Sequence, residues 1–388
     1  MMGTLVALTG RSSSPGFQVK QSRQTLPSEP CPMDTLRMFS IQRLYPFAAF
    51  MGGFLWDALT LGQRVKPFDF WRLGSFLLGS ALLIYWLAYR HEHAFRVPEA
   101  GAAAPCRLRL IRWYAPYLLL QFFFGGIFSA LFILYVKSAG HWPAWFAAGC
   151  LGALLVANEF WRDNYARRFT LNWSLFALCA ILLMNFALPH AAGSLDPRWI
   201  YLSTGVGLAL AHGLYRLAPG RPGRIAPAWA LALALLLAWH LDMIAPVPLV
   251  KRSVGVGQQF SQGDGHYWLQ VEAGEKWQFW RDQATTVHLP KGGLLYGVSA
   301  VFAPQGVTAP LQHQWLHRHP SGAWVSAALI RFTASGGRTG GFRGYSYVKD
   351  PPPGEWRLIV ATQDGHTITT LTFSLETGTP LHEELRSY

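Results

Sequence analysis

The chain has 388 residues, 51% of them hydrophobic and only 14% charged, where ordinary soluble domains carry roughly a quarter charged residues. With 25 Phe, 17 Trp and 14 Tyr it has none of the low hydrophobicity that keeps chains disordered. A net charge of +13 would suggest nucleic acid if it sat on one soluble face. After position 246, however, 12 basic residues meet 10 acidic ones, so the excess lies among the apolar runs before it and nucleic acid is excluded as a partner.

Residues 1–40 are polar and rich in Ser, Pro and Gln, and they read as a disordered cytoplasmic segment. The opening nine residues are too short and too weakly flanked for a signal peptide. A transmembrane domain over 41–246 follows. It holds seven apolar runs, near 45–61, 73–89, 117–136, 142–161, 172–191, 199–217 and 226–245, each close to the 17–25 residues that a bilayer-spanning helix needs. Basic residues resist translocation. The N-terminal segment and the second, fourth and sixth loops hold 16 of them, the odd loops 5. The reading is therefore a bacterial inner-membrane protein with a cytoplasmic N-terminus and, after seven crossings, a periplasmic C-terminal third. Small residues Gly125, Gly126, Ser129 and Ala130, and then Gly205, Gly207 and Ala211, permit close helix approach. Of the four cysteines, Cys150 and Cys179 read as small buried hydrophobes, and no CxxC or zinc spacing occurs.

A Pro-rich hinge over 247–252 leads to a change of pattern: short alternating segments separated by Gly, Pro and Asp, over 253–378, with a tail at 379–388. Tyr296, Val298, Ala300 and Phe302 alternate onto one face, as do Trp356, Leu358 and Val360, and then Leu371, Phe373 and Leu375. Asp364-Gly365 marks a tight hairpin between the last two runs. Seven or eight strands predict an all-β, two-sheet sandwich of immunoglobulin-like size. The fold class is thus a membrane all-α bundle plus a C-terminal β-sandwich.

Ionisable groups within apolar runs are costly and so nominate sites. Asp57, Arg72, His240 and Asp242 fall at similar depth near the external side, where the plainer reading is a structural pair at the interface. Asn158, Glu159 and Arg162 read as a helix-end cluster reaching water. In the β-region, His313, Trp315, His317 and His319 share one side of a strand. Zinc binding by three of them is weakly supported, because the i, i+4, i+6 spacing spreads over about 20 Å. The glycine-rich stretch 336–344 lacks the order of a phosphate loop. Arg331, Arg338, Arg343 and Arg357 can form a basic patch with Trp315 or Trp324 stacking on it. The candidate binding surface is His313, Trp315, Arg343, Tyr345 and Arg357. No catalytic, cofactor or metal constellation has a nominee.

Several motifs carry a resemblance. They are the stretch from Gly52-Gly53-Phe54-Leu55-Trp56-Asp57 to Leu61, Gln121-Phe122 with Gly125 to Ala130, and Val156-Ala157-Asn158-Glu159-Phe160. In the β-region they are Phe302, His313-Gln314-Trp315, Arg343-Gly344-Tyr345-Ser346, Gly354-Glu355-Trp356-Arg357 and Asp364-Gly365. Over about 45–376 the chain resembles bacterial multi-spanning inner-membrane proteins with a C-terminal domain of unknown function 2914. Gly344 stands where that family usually has a second aromatic or basic residue, which weakens a shared basic patch. The resemblance implies the two-part architecture and no activity.

Together these features point to a binding protein, with membrane lipids around it and an envelope glycan, lipid or protein as ligand of its sandwich, and without a cofactor. The rival is a membrane-embedded enzyme or transporter of a lipid-linked substrate, centred on Asp57, Arg72, His240 and Asp242. It requires those four residues to converge on an externally open cavity.

Overall fold

The computed structural model describes residues 54–55, 67–94, 106–160, 165, 168–247, 249–263, 266–274, 283–303, 308–335, 341–380 and 382–388. The N-terminal segment, most of the first apolar run with Asp57, Arg162, and Gly-rich residues 336–340 lie outside them.

Six helices are described: α1 (Pro67–Ala94), α2 (Cys106–Ser138), α3 (Trp142–Phe160), α4 (Phe169–Ala192), α5 (Arg198–Leu217) and α6 (Ala226–His240). They coincide with the second to seventh apolar runs, but only three contain a stretch long and apolar enough to cross a membrane: Phe68–His93, Ala115–Ser138 and Phe169–Ala192. This corrects the expectation of seven full spans. Helix α6 stops at His240 because Asp242 takes a left-handed φ of 53°, so apolar Leu241, Met243, Ile244 and Ala245 leave the helix. Helix α5 is long enough, yet Ser203, Thr204, His212 and Arg216 dilute its apolarity.

Helix α4 is the hub of this half. Its residues from Trp173 to Phe186 are almost all buried, and α5 lies against it through Ser203, Thr204, Gly207 and Ala211. A Cβ on Gly207 would fall 2.6 Å from the Ile181 backbone, so the close approach requires glycine there. Cys179 is buried as expected, whereas Cys150 is exposed on α3. Asn158 also departs from expectation. It is fully buried, donating to the Gln121 carbonyl at 3.2 Å and accepting from the Tyr165 hydroxyl, so it bonds inside the bundle instead of reaching water.

From Val250 the described residues form eleven strands: β1 (Val250–Gly257), β2 (Gln259–Gly263), β3 (His266–Glu272), β4 (Thr286–Leu289), β5 (Leu294–Phe302), β6 (Thr308–Arg318), β7 (Trp324–Ser335), β8 (Phe342–Lys349), β9 (Gly354–Thr362), β10 (Thr367–Thr377) and β11 (Glu383–Ser387). They build a five-stranded sheet ordered β4-β10-β9-β6-β7 and a three-stranded sheet ordered β1-β5-β8, with a core between them that includes Trp315, Trp356, Leu358, Val360, Phe373 and Leu375. The Asp364-Gly365 turn joins β9 to β10, with Gly365 at a φ of 93°. The unexpected part is a third sheet, β11-β3-β2. Its outer strands read Gln259-Phe260-Ser261-Gln262-Gly263 and Glu383-Glu384-Leu385-Arg386-Ser387, too polar to show an apolar alternation. This sheet covers the far face of β5, whose Val298 joins Leu269, Val271 and Tyr388 in a second small core. Strand β5 is therefore buried on both faces, where the sequence pattern suggested one.

Candidate functional site

The two halves meet at the ends of α2, α4 and α6. Gly140 follows α2 and lies so close to β10 that a Cβ there would sit 1.9 Å from the Ile368 carbonyl oxygen. The Thr308 N–H donates to the Gly193 carbonyl at 3.2 Å, tying the end of α4 to the start of β6. Asp242 fastens a third point. Its Oδ1 accepts the Thr367 N–H at 3.0 Å and lies 3.6 Å from His366 Nδ1, while its backbone carbonyl is 2.7 Å from His141 Nε2. The Trp239 ring packs on His366 with centroids 3.8 Å apart. Partial burial alone would raise the Asp242 carboxyl pKa, but the interactions with His366 and Thr367, and the neighbouring His141, hold it below the ordinary value.

Of the three intramembrane candidates among the described residues, Asp242 alone takes part in this junction. His240, two residues earlier, is exposed and pairs with the Tyr201 hydroxyl at 3.0 Å. Arg72 is half-buried in the first turns of α1, and Asp57 is outside the described residues. His141, Trp239 and His366 carried no site signal in the sequence, because their meeting depends on the docking of the two halves.

The β-region candidates separate into three places. His313 and Trp315 are fully buried in the sandwich core, which corrects their assignment to a binding surface. The alternation of β6 turns Leu311, His313 and Trp315 inward, since that face of the sheet covers β5 and β8. His313 Nε2 lies 2.7 Å from Ser299 Oγ, His313 Nδ1 lies 2.8 Å from Ser346 Oγ, and Trp315 Nε1 donates to Ser346 Oγ at 2.9 Å. One imidazole thus bridges the five-stranded sheet to two strands of the other. Burial pushes its pKa down to about 3, so the ring is neutral and satisfies both serines. His317 packs on Trp356 and His319 bonds to Ser321, so the three histidines do not converge.

Arg343 and Tyr345 lie on the outward face of β8, where Tyr345 stacks on Phe260 of the third sheet with centroids 4.5 Å apart. Arg357 lies on the opposite side of the molecule, on the outer face of the five-stranded sheet. There its guanidinium sits 4.2 Å from the Trp324 ring centroid, and Arg318 approaches the same ring at 6.0 Å. Arg357 Nε donates to Thr372 Oγ at 3.3 Å, and Arg318 pairs with Glu355 at 2.5 Å. Arg331, opposite Gln312 in the β6–β7 register, shares this face. The sequence nominated Arg357, Arg331 and Trp324 but missed Arg318, which enters through its register opposite Trp324.

Known proteins define the chain only in part. Residues 309–375 match a family described as a protein of unknown function (DUF2914). These residues span β6 to β10, four strands of the five-stranded sheet together with β8 of the facing sheet, and so include His313 and the arginine–tryptophan face. No curated protein matches the chain. Among solved structures, an immunoglobulin-like protein from Pseudomonas aeruginosa is 15% identical, covering 32% of this chain and 97% of its own length, with a TM-score of 0.18. The Pseudomonas fluorescens alkylpurine DNA glycosylase AlkC, bound to DNA containing an abasic site analog, is 12% identical over 88% of this chain and 98% of its own, also with a TM-score of 0.18. At that score neither likeness carries an argument about fold or activity.

Proposed function

We propose that the chain is a multi-pass protein of the bacterial inner membrane, N-terminus in the cytoplasm, whose C-terminal β-sandwich stands in the periplasm and binds an anionic envelope component. The observation that carries the binding reading is the Arg318–Trp324–Arg357 face. Two guanidiniums are held against one indole ring, each with a further side-chain partner, which preorganises planar donors suited to carboxylate or phosphate. Its position supports a ligand beyond the protein's own lipid. Strand β9 runs from Arg357 to Thr362 before the turn that touches the helical half, a rise of about 17 Å. The membrane half of the reading rests on the three long apolar helices.

Two measurements test it. A reporter fused after Tyr388 should be active only outside the cytoplasm; cytosolic activity sinks the topology. Full-length protein in detergent should retain purified acidic envelope polymers at low salt, and Trp324→Ala with Arg357→Ala should abolish the retention. Equal retention by the variant would remove this face from the reading.

A further inference from the structure

Beside the Asp242 junction, the helical end and the β9–β10 turn enclose a partly open cavity of about 40 Å³. Asn185 of α4 lines it. This residue is 3% exposed, and neither its Nδ2 nor its Oδ1 has a hydrogen-bond partner. The Tyr135 hydroxyl is close enough to interact with the amide but forms no hydrogen bond with it in this geometry. Buried amides in native proteins are nearly always satisfied, so an open amide on a cavity wall marks the place of a polar guest.

The other walls define that guest. Trp199 and Trp239 line the cavity together with Asp196, Asp364 and His366, and Asp242 stands behind His366. No Lys or Arg lines it. The neighbouring base, Arg198, extends into solvent and is engaged with Asp196 at 2.7 Å. Indole faces and carboxylates without a lining Lys or Arg favour a cation. A buried water needs about 10–15 Å³, so a cavity of about 40 Å³ has room for about three or four heavy atoms. The amide of Asn185 further asks for an oxygen that accepts from Nδ2 and for a donor to Oδ1.

We propose that this cavity binds the aminoethanol unit: an ammonium against the carboxylates and indoles, with an oxygen two carbons away on Asn185. Free ethanolamine offers the ammonium and a hydroxyl that both accepts from Nδ2 and donates to Oδ1; an ethanolamine phospholipid headgroup shares the ammonium and an ester oxygen that only accepts. The site does not depend on the arginine–tryptophan face or on which side of a membrane the β-region lies.

The test uses the full chain in nanodiscs made only of phosphatidylglycerol, with fluorescence of the lining tryptophans read during titration with ethanolamine hydrochloride. Ethylene glycol, which lacks the charge, and propylamine, which lacks the oxygen, serve as controls. A second arm reconstitutes the protein with phosphatidylethanolamine and looks for retained lipid by native mass spectrometry. The expected results are a saturable response to ethanolamine, at least tenfold weaker responses to both controls, and at least tenfold weakening in Asn185→Leu and in Asp364→Asn. Asn185→Leu removes an unpaired amide and should keep or raise the Tm without ligand. Should it fail to fold, Asp364→Asn carries the test alone, since Asn-Gly supports the same turn. Retention of phosphatidylethanolamine by the wild type but not by the variants assigns the lipid source, and binding of free ethanolamine alone assigns the soluble one. No saturable response in either arm, or variants that bind like the wild type, overturns the proposal.

Discussion

The helical half and the β-half are built alike inside and oppositely outside. Each has a tightly packed apolar core crossed by a hydrogen-bonded polar group: Asn158, Tyr165 and Asn172 among the helices, and His313 with Ser299, Ser346 and Trp315 between the sheets. On the surface they diverge. Phe68, Trp71 and Trp142 are 73%, 79% and 75% exposed on the helices, amid many exposed leucines, whereas the β-half exposes few large apolar side chains among arginines, glutamates and threonines. A folded protein in water rarely shows apolar patches of that extent. The contrast is what the proposed arrangement, lipid around the helices and water around the strands, requires.

The largest break in that comparison comes from the β-core. Trp315→Ala removes a fully buried indole that packs against Trp356 and closes the Ser346 network. It should cost about 3–5 kcal/mol, read as a lower denaturant midpoint of the β-half's tryptophan signal. The helical half's circular dichroism should remain.

The junction comes next. Gly140→Val places side-chain atoms where the Ile368 carbonyl already lies and forces a backbone shift, with an expected loss of about 3 kcal/mol. Hydrogen exchange at Ile368 and Thr367 should accelerate while the core of the five-stranded sheet stays protected. Uniform acceleration through β9 and β6 would mean that the two halves unfold as one.

The His313 bridge sharpens the comparison through pH. Its folded pKa is near 3 against an ordinary 6.5, so between those values the unfolded chain binds a proton that the folded chain refuses. Stability contributed by the neutral ring is therefore complete above pH 6.5 and is lost as pH falls toward 3. His313→Gln should cost about 2 kcal/mol at pH 8, from an imperfect fit to the two serines. It should also flatten the loss between pH 7 and pH 4, measured by urea unfolding monitored at the β-half's tryptophans. An unchanged acid slope would place the titration elsewhere.

These effects show why some of the molecule was legible in the sequence and some was not. Apolar runs announced the helices, and alternation announced β9 and β10, because burial on one side writes a period into the residues. The third sheet left no such trace: β2 and β11 are polar edge strands whose Phe260 and Leu385 pack or project singly. His313 and Trp315 were seen to share a face, but alternation alone does not say which face is inside; that required the position of β5 and β8. The junction was the least legible part. Asp242 stood out as a charge near an apolar run, yet its partners His141 and His366 lie 101 and 124 positions away and meet it only where the helical and β halves pack together.

The smallest expected effect on stability belongs to the outer sheet face. Trp324 is half-exposed, and its arginines are held by contacts open to water, where ion pairs contribute about 0–1 kcal/mol. Trp324→Ala with Arg357→Ala should therefore move the β-half's unfolding midpoint by an amount worth about 0.5 kcal/mol or less. Removing the indole leaves Arg318 held by Glu355 alone, and removing Arg357 takes the more closely stacked guanidinium, so retention of an acidic polymer should fall steeply with salt in the wild type and vanish in the variant. That separation is the informative outcome. A face maintained for binding loses its ligand with the fold intact, whereas a face that merely braces β6, β7 and β9 lowers the midpoint in proportion to whatever binding it loses.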